Sequence, residues 1–344
     1  MRRFRSRAAV VLLAGAISAS ACACSAGGSA SGSAAALDGG VGTGGSARPT
    51  AGSSLSSSPS PVQSSSPSPT RPSGPPLLLD SLAPADRATV GVAMPVSVVF
   101  THPVAAKARK AVEQHLKVSS SVPVTGAWHW FSDRRVDWRP EQMWPSGAHV
   151  TVDAALDGVG DGNGRYGTHD YHHSFTIGAA VKATVDVPGH SMKVYRNDAL
   201  IRTMPIDAGS PSFPSWDGTM AVLDKARSVR MTSCSVGITC DPKNPEFYDL
   251  TLPWDVHLTY SGTYVHYSTG DPQPGHSYGS HGCVHLSLAD AKWFYDYVKQ
   301  GDPVTITGSP RGKAAGDNGY AAFNLSWSQW LANSATGAQT TSAA

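Results

Sequence analysis

Residues 276–286 read HSYGSHGCVHL, a stretch that sets a cysteine between two histidines. Within it, Cys283 directly follows His281 and Gly282, so an imidazole and a glycine backbone lie next to the sulfur. A nucleophilic thiol needs a nearby base and hydrogen-bond donors for an oxyanion. The stretch therefore predicts a reactive cysteine, and a cysteine packed as a small apolar side chain is the alternative.

The other four cysteines have separate explanations. Cys22 and Cys24 fall in an N-terminal export signal. Cys234 and Cys240 are six positions apart and can close a small loop through a disulfide in an oxidising compartment. Cys283 is then left unpaired, and an unpaired thiol in an exported protein is expected to be buried or used in chemistry.

Metal binding is an alternative use of the same stretch. His276, His281, Cys283 and His285 are of ligand type, but they lack the paired spacing and distant second pair that zinc sites show. We therefore predict neither a metal ion nor a cofactor.

The residues around Cys283 resemble the signature of the L,D-transpeptidases, whose YkuD-type catalytic domain cross-links bacterial cell walls. The resemblance is carried by SHGCVHL at 280–286 and GTYVH at 262–266, and it continues at 288–302 and 327–330. It covers about residues 77–335 and is strongest with actinobacterial members. It implies an enzyme, a cysteine-dependent acyltransferase.

The resemblance makes Cys283 the nucleophile. His281 is predicted to be its base, because residues two apart in an extended segment share a face, and also the acid that protonates the leaving amine. The resemblance implies that the backbone carbonyl of Tyr267 orients the other ring nitrogen of His281. It places His266 in the pocket near the sulfur.

Other residues take roles by the same resemblance. The amides of Gly282 and Cys283 would donate to the oxyanion, and Tyr248 would contribute a hydroxyl from a lid over the pocket. A packed lid aromatic is the alternative for Tyr248. Met231 matches a lid methionine.

Three further positions are predicted to contact substrate or shape its channel: Ser280, Tyr267 and His285. His285 departs from the family, whose members have arginine or asparagine there, and Tyr267 replaces a frequent serine. A neutral histidine can still donate a hydrogen bond.

The reaction that the resemblance implies is acyl transfer between peptidoglycan stem peptides. The thiolate attacks the third residue of a tetrapeptide, D-alanine leaves, and an amine of a second stem forms a 3→3 cross-link. With water as acceptor the enzyme would be an L,D-carboxypeptidase. Carbapenems are the expected covalent inhibitors.

Other classes of protein explain the sequence less well. A papain-like peptidase has its histidine far downstream of the cysteine. A non-catalytic wall-binding lipoprotein and a metal-binding lipoprotein both fit the linker but leave the cysteine motif unexplained. The formal charge of +2 and the absence of a basic stripe argue against nucleic-acid binding.

The chain begins like an exported protein. A basic start and an apolar run over 8–17 form a signal peptide at 1–24, too short to span a bilayer stably. Cys22 ends a sequence that resembles a lipobox, which predicts lipidation; ordinary cleavage nearby is the alternative. We expect an extracytoplasmic protein at the membrane and cell wall. Residues 25–76 are rich in Ser, Gly and Pro and predict a disordered linker.

The remainder predicts a mainly β protein. Short strands over 77–179, with one helix at 105–116, indicate an immunoglobulin-like sandwich that resembles the domain preceding the catalytic domain in this family. A β-rich catalytic domain is predicted at 180–308, with one prominent helix that starts at Ser287 and puts Cys283 at its positive end. We predict an extension at 309–335 that packs on the catalytic domain, and a disordered tail at 336–344.

Overall fold

The computed structural model describes residues 73–343. The predicted signal peptide, the lipidation site Cys22 and nearly all of the predicted linker lie outside these residues. Within residues 73–343, no helix has the length and apolar character needed to cross a membrane.

The N-terminal half of the described chain is built from ten short strands. A 3₁₀ turn at Ala106–Ala108 and helix α1 (Arg109–His115) confirm the predicted helix. The strands are β1 (Pro76–Leu77), β2 (Leu79–Ala83), β3 (Thr89–Val90), β4 (Val96–Phe100), β5 (Leu116–Ser120), β6 (Thr125–Trp130), β7 (Arg135–Pro140), β8 (His149–Ala154), β9 (Tyr166–Gly167) and β10 (Tyr171–Ile177).

These strands form the predicted sandwich. One sheet contains the order β2-β4-β7-β6 and the other the order β3-β10-β8-β5. In β8, the side chains of Val150, Val152 and Ala154 are buried while the residues between them are not, because alternate residues of a strand face opposite sides of a sheet. Trp128 and Phe100 belong to the apolar core between the sheets.

The C-terminal half is also β-rich, with one long helix. Helix α2 spans Leu288–Tyr297 and α3 spans Trp327–Leu331, with a 3₁₀ turn at Ala322–Asn324. The strands are β11 (Val181–Asp186), β12 (Ser191–Arg196), β13 (Ala199–Pro205), β14 (Ala208–Gly209), β15 (Gly218–Ala221), β16 (Asp224–Thr232), β17 (Asp249–His257), β18 (Tyr264–Tyr267), β19 (Tyr278–Ser280), β20 (Val284–Leu286), β21 (Pro303–Thr307) and β22 (Gln339–Thr340).

Two sheets enclose the second core. The first has the order β13-β12-β11-β21-β15 and the second has the order β16-β17-β18-β20. In the second sheet, Val256, Val265 and Val284 are fully buried and belong to one apolar cluster with Phe294 of α2. The valines face the core, so the residues beside them in sequence face the other side of the sheet.

Helix α2 begins as its sequence predicts. The Ser287 hydroxyl accepts a hydrogen bond from the Asp290 amide and caps the first turn. The prediction that Cys283 lies at the positive end of this helix is wrong. Strand β20 separates the two, and its residues advance by about 3.3 Å each, so the helix end is too distant to hold a thiolate.

The C-terminal extension packs differently from its prediction. Trp330 of α3 is fully buried with Ala127 of the sandwich, its indole N–H donates to the Ala127 carbonyl at 2.9 Å, and its ring stacks on His129. The extension therefore packs on the immunoglobulin-like domain as well as on the catalytic domain. Both domains present an apolar surface on which a short helix can pack, and the sequence does not indicate which of them α3 contacts.

The prediction of a disordered tail at 336–344 is also wrong for the described residues. Strand β22 pairs with the edge strand β6 and extends the first sandwich sheet. The buried carboxylate of Glu113 accepts hydrogen bonds from the amides of Ala335 and Thr336 just before this strand. Covering an exposed strand edge satisfies its unpaired backbone groups, which explains why a polar segment becomes ordered here.

We expect Trp330→Ala to destabilise the protein by about 3–5 kcal/mol, because a large buried ring and its hydrogen bond are lost. Urea denaturation followed by fluorescence measures the change. Leu288→Ala is the control, since Leu288 is 50% exposed and its truncation should change the free energy of unfolding little. An equal loss in both variants would contradict the packing of α3 on the sandwich.

Candidate active site

Cys283 opens into a cavity of about 610 Å³. The cavity is lined by residues of the second catalytic sheet, by the β16–β17 connection and by the segment that precedes β15. The predicted residues that line it are Cys283, His281, His266, Tyr248, Ser280, His285 and Met231.

Parallel pairing of β18 with β20 places Cys283 and His266 on one face. Val265 is paired with Val284, and His266 with His285. Both valines point into the core, so the two histidines point the other way, toward the cavity. Cys283, immediately before β20, lies beside Tyr264, whose backbone N–H donates to the sulfur at 3.4 Å.

Burial keeps Cys283 protonated. Its sulfur is 3.6 Å from the Gly262 carbonyl, which accepts from the S–H group. Burial raises the pKa of Cys283 to about 12, more strongly than the Tyr264 N–H lowers it. The resting group is therefore a thiol at neutral pH, and it requires a base before it can attack.

His266 has the properties of that base. The residue is only 2% exposed, and burial, together with the neighbouring His285, lowers the pKa of its ring to about 3. Its Nδ1–H donates to the Tyr267 carbonyl at 2.8 Å. The ring is therefore neutral, and this hydrogen bond leaves its Nε2 lone pair free to accept a proton.

The predicted orientation of His281 by Tyr267 is wrong, because His266 holds that carbonyl. Residues 280–283 are not extended: Gly282 has φ of +116°, so His281 and Cys283 do not share a strand face. The His281 Nε2–H donates to Glu246 at 2.8 Å, and its ring contacts the rings of Phe213 and Tyr248. No hydrogen bond joins His281 to the sulfur within the described residues.

The turn before Cys283 is held by Ser280. Its hydroxyl donates to the Cys283 carbonyl at 2.6 Å and accepts from the Gly282 amide at 3.1 Å. The Gly282 N–H is thus already engaged, contrary to its predicted role as an oxyanion donor. Ser280 shapes the motif from within, although it also lines the cavity.

Tyr248 and Met231 lie on the β16–β17 hairpin that borders the cavity. Met231 is paired with Leu250, and Tyr248 directly precedes β17. The connecting loop is closed by a disulfide between Cys234 and Cys240. Burial, together with the nearby Cys283, raises the pKa of Tyr248 to about 12, so its hydroxyl keeps its proton and can donate.

His285 and Tyr267 differ in their exposure to the cavity. His285 lines it, and its Nδ1 lies 3.0 Å from a carboxylate oxygen of Asp271. Tyr267 packs its side chain against the catalytic core and does not line the cavity, so only its carbonyl contributes. The predicted substrate contact by the Tyr267 side chain is therefore not supported by its position.

Two buried carboxyl groups were missed by the sequence analysis. Asp207 accepts hydrogen bonds from the amides of Gly275, His276 and Ser277 and orders the loop before the motif. Although burial alone would raise it, these bonds lower the pKa of Asp207 to about 2. Asp255 lies fully buried in β17. Neither has a sequence signal, because each acts through contacts distant along the chain.

The fold and the site together define a two-domain enzyme of a known class. Residues 74–160 match the bacterial Ig domain, and residues 180–306 match the L,D-transpeptidase catalytic domain. Among residues 73–343, no group of three or more histidine, cysteine or acidic side chains could hold a metal ion.

Similar proteins make the family explicit. The chain is 34% identical over 262 residues to L,D-transpeptidase 2 of Mycobacterium tuberculosis, covering 75% of this chain and 63% of that protein's length. It is 34% identical to L,D-transpeptidase 1 of the same species, covering 66% of this chain and 84% of that protein. The chain belongs to the L,D-transpeptidase family.

A solved structure of a related protein is also similar to this chain. The structure of the L,D-transpeptidase LdtMt1 in complex with imipenem has a TM-score of 0.57 and 33% sequence identity, covering 69% of this chain and 100% of that chain. Both the fold and the order of domains follow the predicted resemblance.

We expect Asp255→Asn to change how stability depends on pH. Burial raises the pKa of Asp255 to about 7, and neither carboxyl oxygen makes a well-formed hydrogen bond within the described residues. Between about pH 4 and 7 the folded state holds a proton that the unfolded state has lost, so stability falls as pH rises, by up to about 1.4 kcal/mol per unit.

Urea denaturation at pH 5 and pH 8 tests this dependence. Asp302 is also buried with a raised pKa, so the informative quantity is the difference between wild type and variant. Asp255→Asn should lose less stability than wild type on going from pH 5 to pH 8. Identical losses would show that Asp255 is ionised in the folded protein throughout.

Proposed function

We propose that this protein is a peptidoglycan L,D-transpeptidase that acts through a thioester on Cys283. Membership of the family supports the reaction class, and the cavity around a half-buried thiol with a neutral histidine on the same sheet face supports this residue as nucleophile. The donor is a tetrapeptide stem, and the acceptor is an amine on a second stem.

The acylation step begins with proton transfer to His266. Nε2 of His266 takes the thiol proton as the sulfur attacks the carbonyl carbon of the third stem residue. The tetrahedral intermediate collapses, its C–N bond breaks, and His266 returns the proton to the leaving D-alanine amine. The Tyr267 carbonyl, which accepts from Nδ1–H, stabilises the imidazolium between these two transfers.

The developing oxyanion needs donors that are free in the resting enzyme. The Tyr248 hydroxyl suits this role because Tyr248 lines the same cavity as Cys283, and its pKa of about 12 keeps the hydroxyl protonated at neutral pH. The Cys283 amide is the second candidate, since the Gly282 amide already donates to Ser280.

Deacylation by an amine of a second stem completes a 3→3 cross-link. The amine nitrogen attacks the thioester, an amide forms, and the thiol is regenerated. Water in place of the amine would release a tripeptide. Imipenem, which is bound to the related LdtMt1, is proposed to acylate the same sulfur of this chain.

The proposed place of action is outside the cytoplasmic membrane. The basic and apolar start of the sequence supports export, and Cys22 supports a lipid anchor. The Ser/Pro-rich residues that follow would let an anchored catalytic domain reach substrate in the wall.

We expect Cys283→Ala to abolish both the reaction and the carbapenem adduct. Wild-type protein incubated with a defined tetrapeptide should form a dimer and release D-alanine, as read by mass spectrometry, and should gain the mass of imipenem. A tripeptide without dimer would identify a carboxypeptidase instead. An undiminished imipenem adduct in Cys283→Ala would refute the assignment of Cys283 as the nucleophile.

Substitution of His266 and substitution of His281 should lower kcat by different amounts. His266→Ala removes the proposed base and should lower kcat by roughly 10²- to 10⁴-fold. His281→Ala should have a smaller effect on kcat, because its ring contacts Glu246 and the lid aromatics and not the sulfur. Steady-state release of D-alanine measures both. A larger loss of kcat in His281→Ala would return the role of base to His281.

A further inference from the structure

Among the described residues that line the cavity, the permanently charged side chains are two arginines, Arg230 and Arg311. Arg230 is neutralised by a two-point ion pair with Asp249, at 2.8 and 2.6 Å. Arg311 makes no ion pair with a carboxylate in the described part of the chain. The cavity therefore carries one uncompensated positive charge, and that charge has a defined position.

Arg311 is held in place by an aromatic ring and a backbone carbonyl, without a carboxylate partner among the described residues. Its guanidinium lies 3.8 Å from the centre of the Trp216 ring, and Nη1 donates to the Pro214 carbonyl at 3.3 Å. Trp216 is itself fixed, because its indole N–H donates to Ser261 at 3.1 Å. A guanidinium has five N–H donors, so most of them remain available to a ligand.

The guanidinium is close to the proposed nucleophile. A Cβ atom added at Gly282 would lie 3.5 Å from Nη1 of Arg311. Since a Cα–Cβ bond is about 1.5 Å and neighbouring Cα atoms are about 3.8 Å apart, Nη1 lies within about 9 Å of the Cys283 Cα atom. A substrate group that Arg311 binds must therefore be near the carbonyl under attack.

We propose that Arg311 binds the terminal carboxylate of the leaving residue of the donor peptide. This inference rests on the proposed transpeptidase reaction and adds the group that selects the donor. In a donor stem, that carboxylate is separated from the attacked carbonyl carbon by one nitrogen and one α-carbon. The planar guanidinium matches a carboxylate with two parallel hydrogen bonds.

Carbapenems provide a second ligand with the same arrangement. Their ring carboxylate is also attached to the carbon next to the amide nitrogen that is cleaved. Arg311 should therefore favour acylation by carbapenems as well as by donor stems. A donor whose terminus is an amide cannot form the charged pair and should gain nothing from Arg311.

The test compares two tetrapeptide donors, one with a free terminal carboxylate and one with a terminal amide. Arg311→Ala should lower kcat/KM for the acid donor roughly 10- to 100-fold, which is the range for a lost hydrogen bond to a charged group. The amide donor should change little. Arg311→Gln, which keeps a planar polar side chain without charge, should show the same selective loss.

The control variant is Arg196→Ala, which removes the same charge from an exposed position on β12 outside the cavity. This substitution should leave kcat/KM unchanged for both donors. Acylation of Arg311→Ala by imipenem, followed by mass spectrometry, should slow to a similar degree as turnover of the acid donor. Circular dichroism checks that each variant is folded.

The experiment distinguishes failure of the proposed reaction from failure of carboxylate binding by Arg311. If wild-type protein turns over neither donor, the proposed reaction itself is overturned. If wild-type protein is active, two results overturn only carboxylate binding by Arg311. In the first, Arg311→Ala lowers kcat/KM equally for the acid and amide donors. In the second, it leaves kcat/KM for the acid donor unchanged.

Discussion

The parallel pairing of Tyr264–Tyr267 with Val284–Leu286 is the constraint on which the site depends. This register sends Val265 and Val284 into the core and turns His266 and His285 to the opposite face. A shift of one residue would exchange these faces and bury the wrong side chains. The apolar core therefore determines where the proposed base lies relative to the sulfur.

Burial controls the chemistry of the two central groups in opposite directions. It raises the pKa of Cys283 and lowers that of His266, so both are uncharged at neutral pH. An uncharged pair costs less to bury than a thiolate–imidazolium pair. We infer that the charged pair forms when substrate arrives, and that the Tyr267 carbonyl then compensates the imidazolium.

Much of the fold could be predicted from local pattern. Short strands were expected in both halves of the chain and are present, and Ser287 caps the expected helix. The C-terminal segments could not be predicted, because Trp330 and strand β22 are ordered by surfaces of the sandwich about 200 residues earlier in the sequence.

By itself, the sequence determined the class of protein and the stretch that carries the reactive sulfur, because both depend on residue types at fixed short spacing. Only the tertiary structure supports the proposal that His266, and not His281, is the base for that sulfur. Proximity in sequence favoured His281, but the positive φ of Gly282 turns it toward Glu246, and strand pairing brings His266 to the face that Cys283 occupies. Contacts between strands distant in the chain cannot be read from spacing, since they depend on how the whole sheet is assembled.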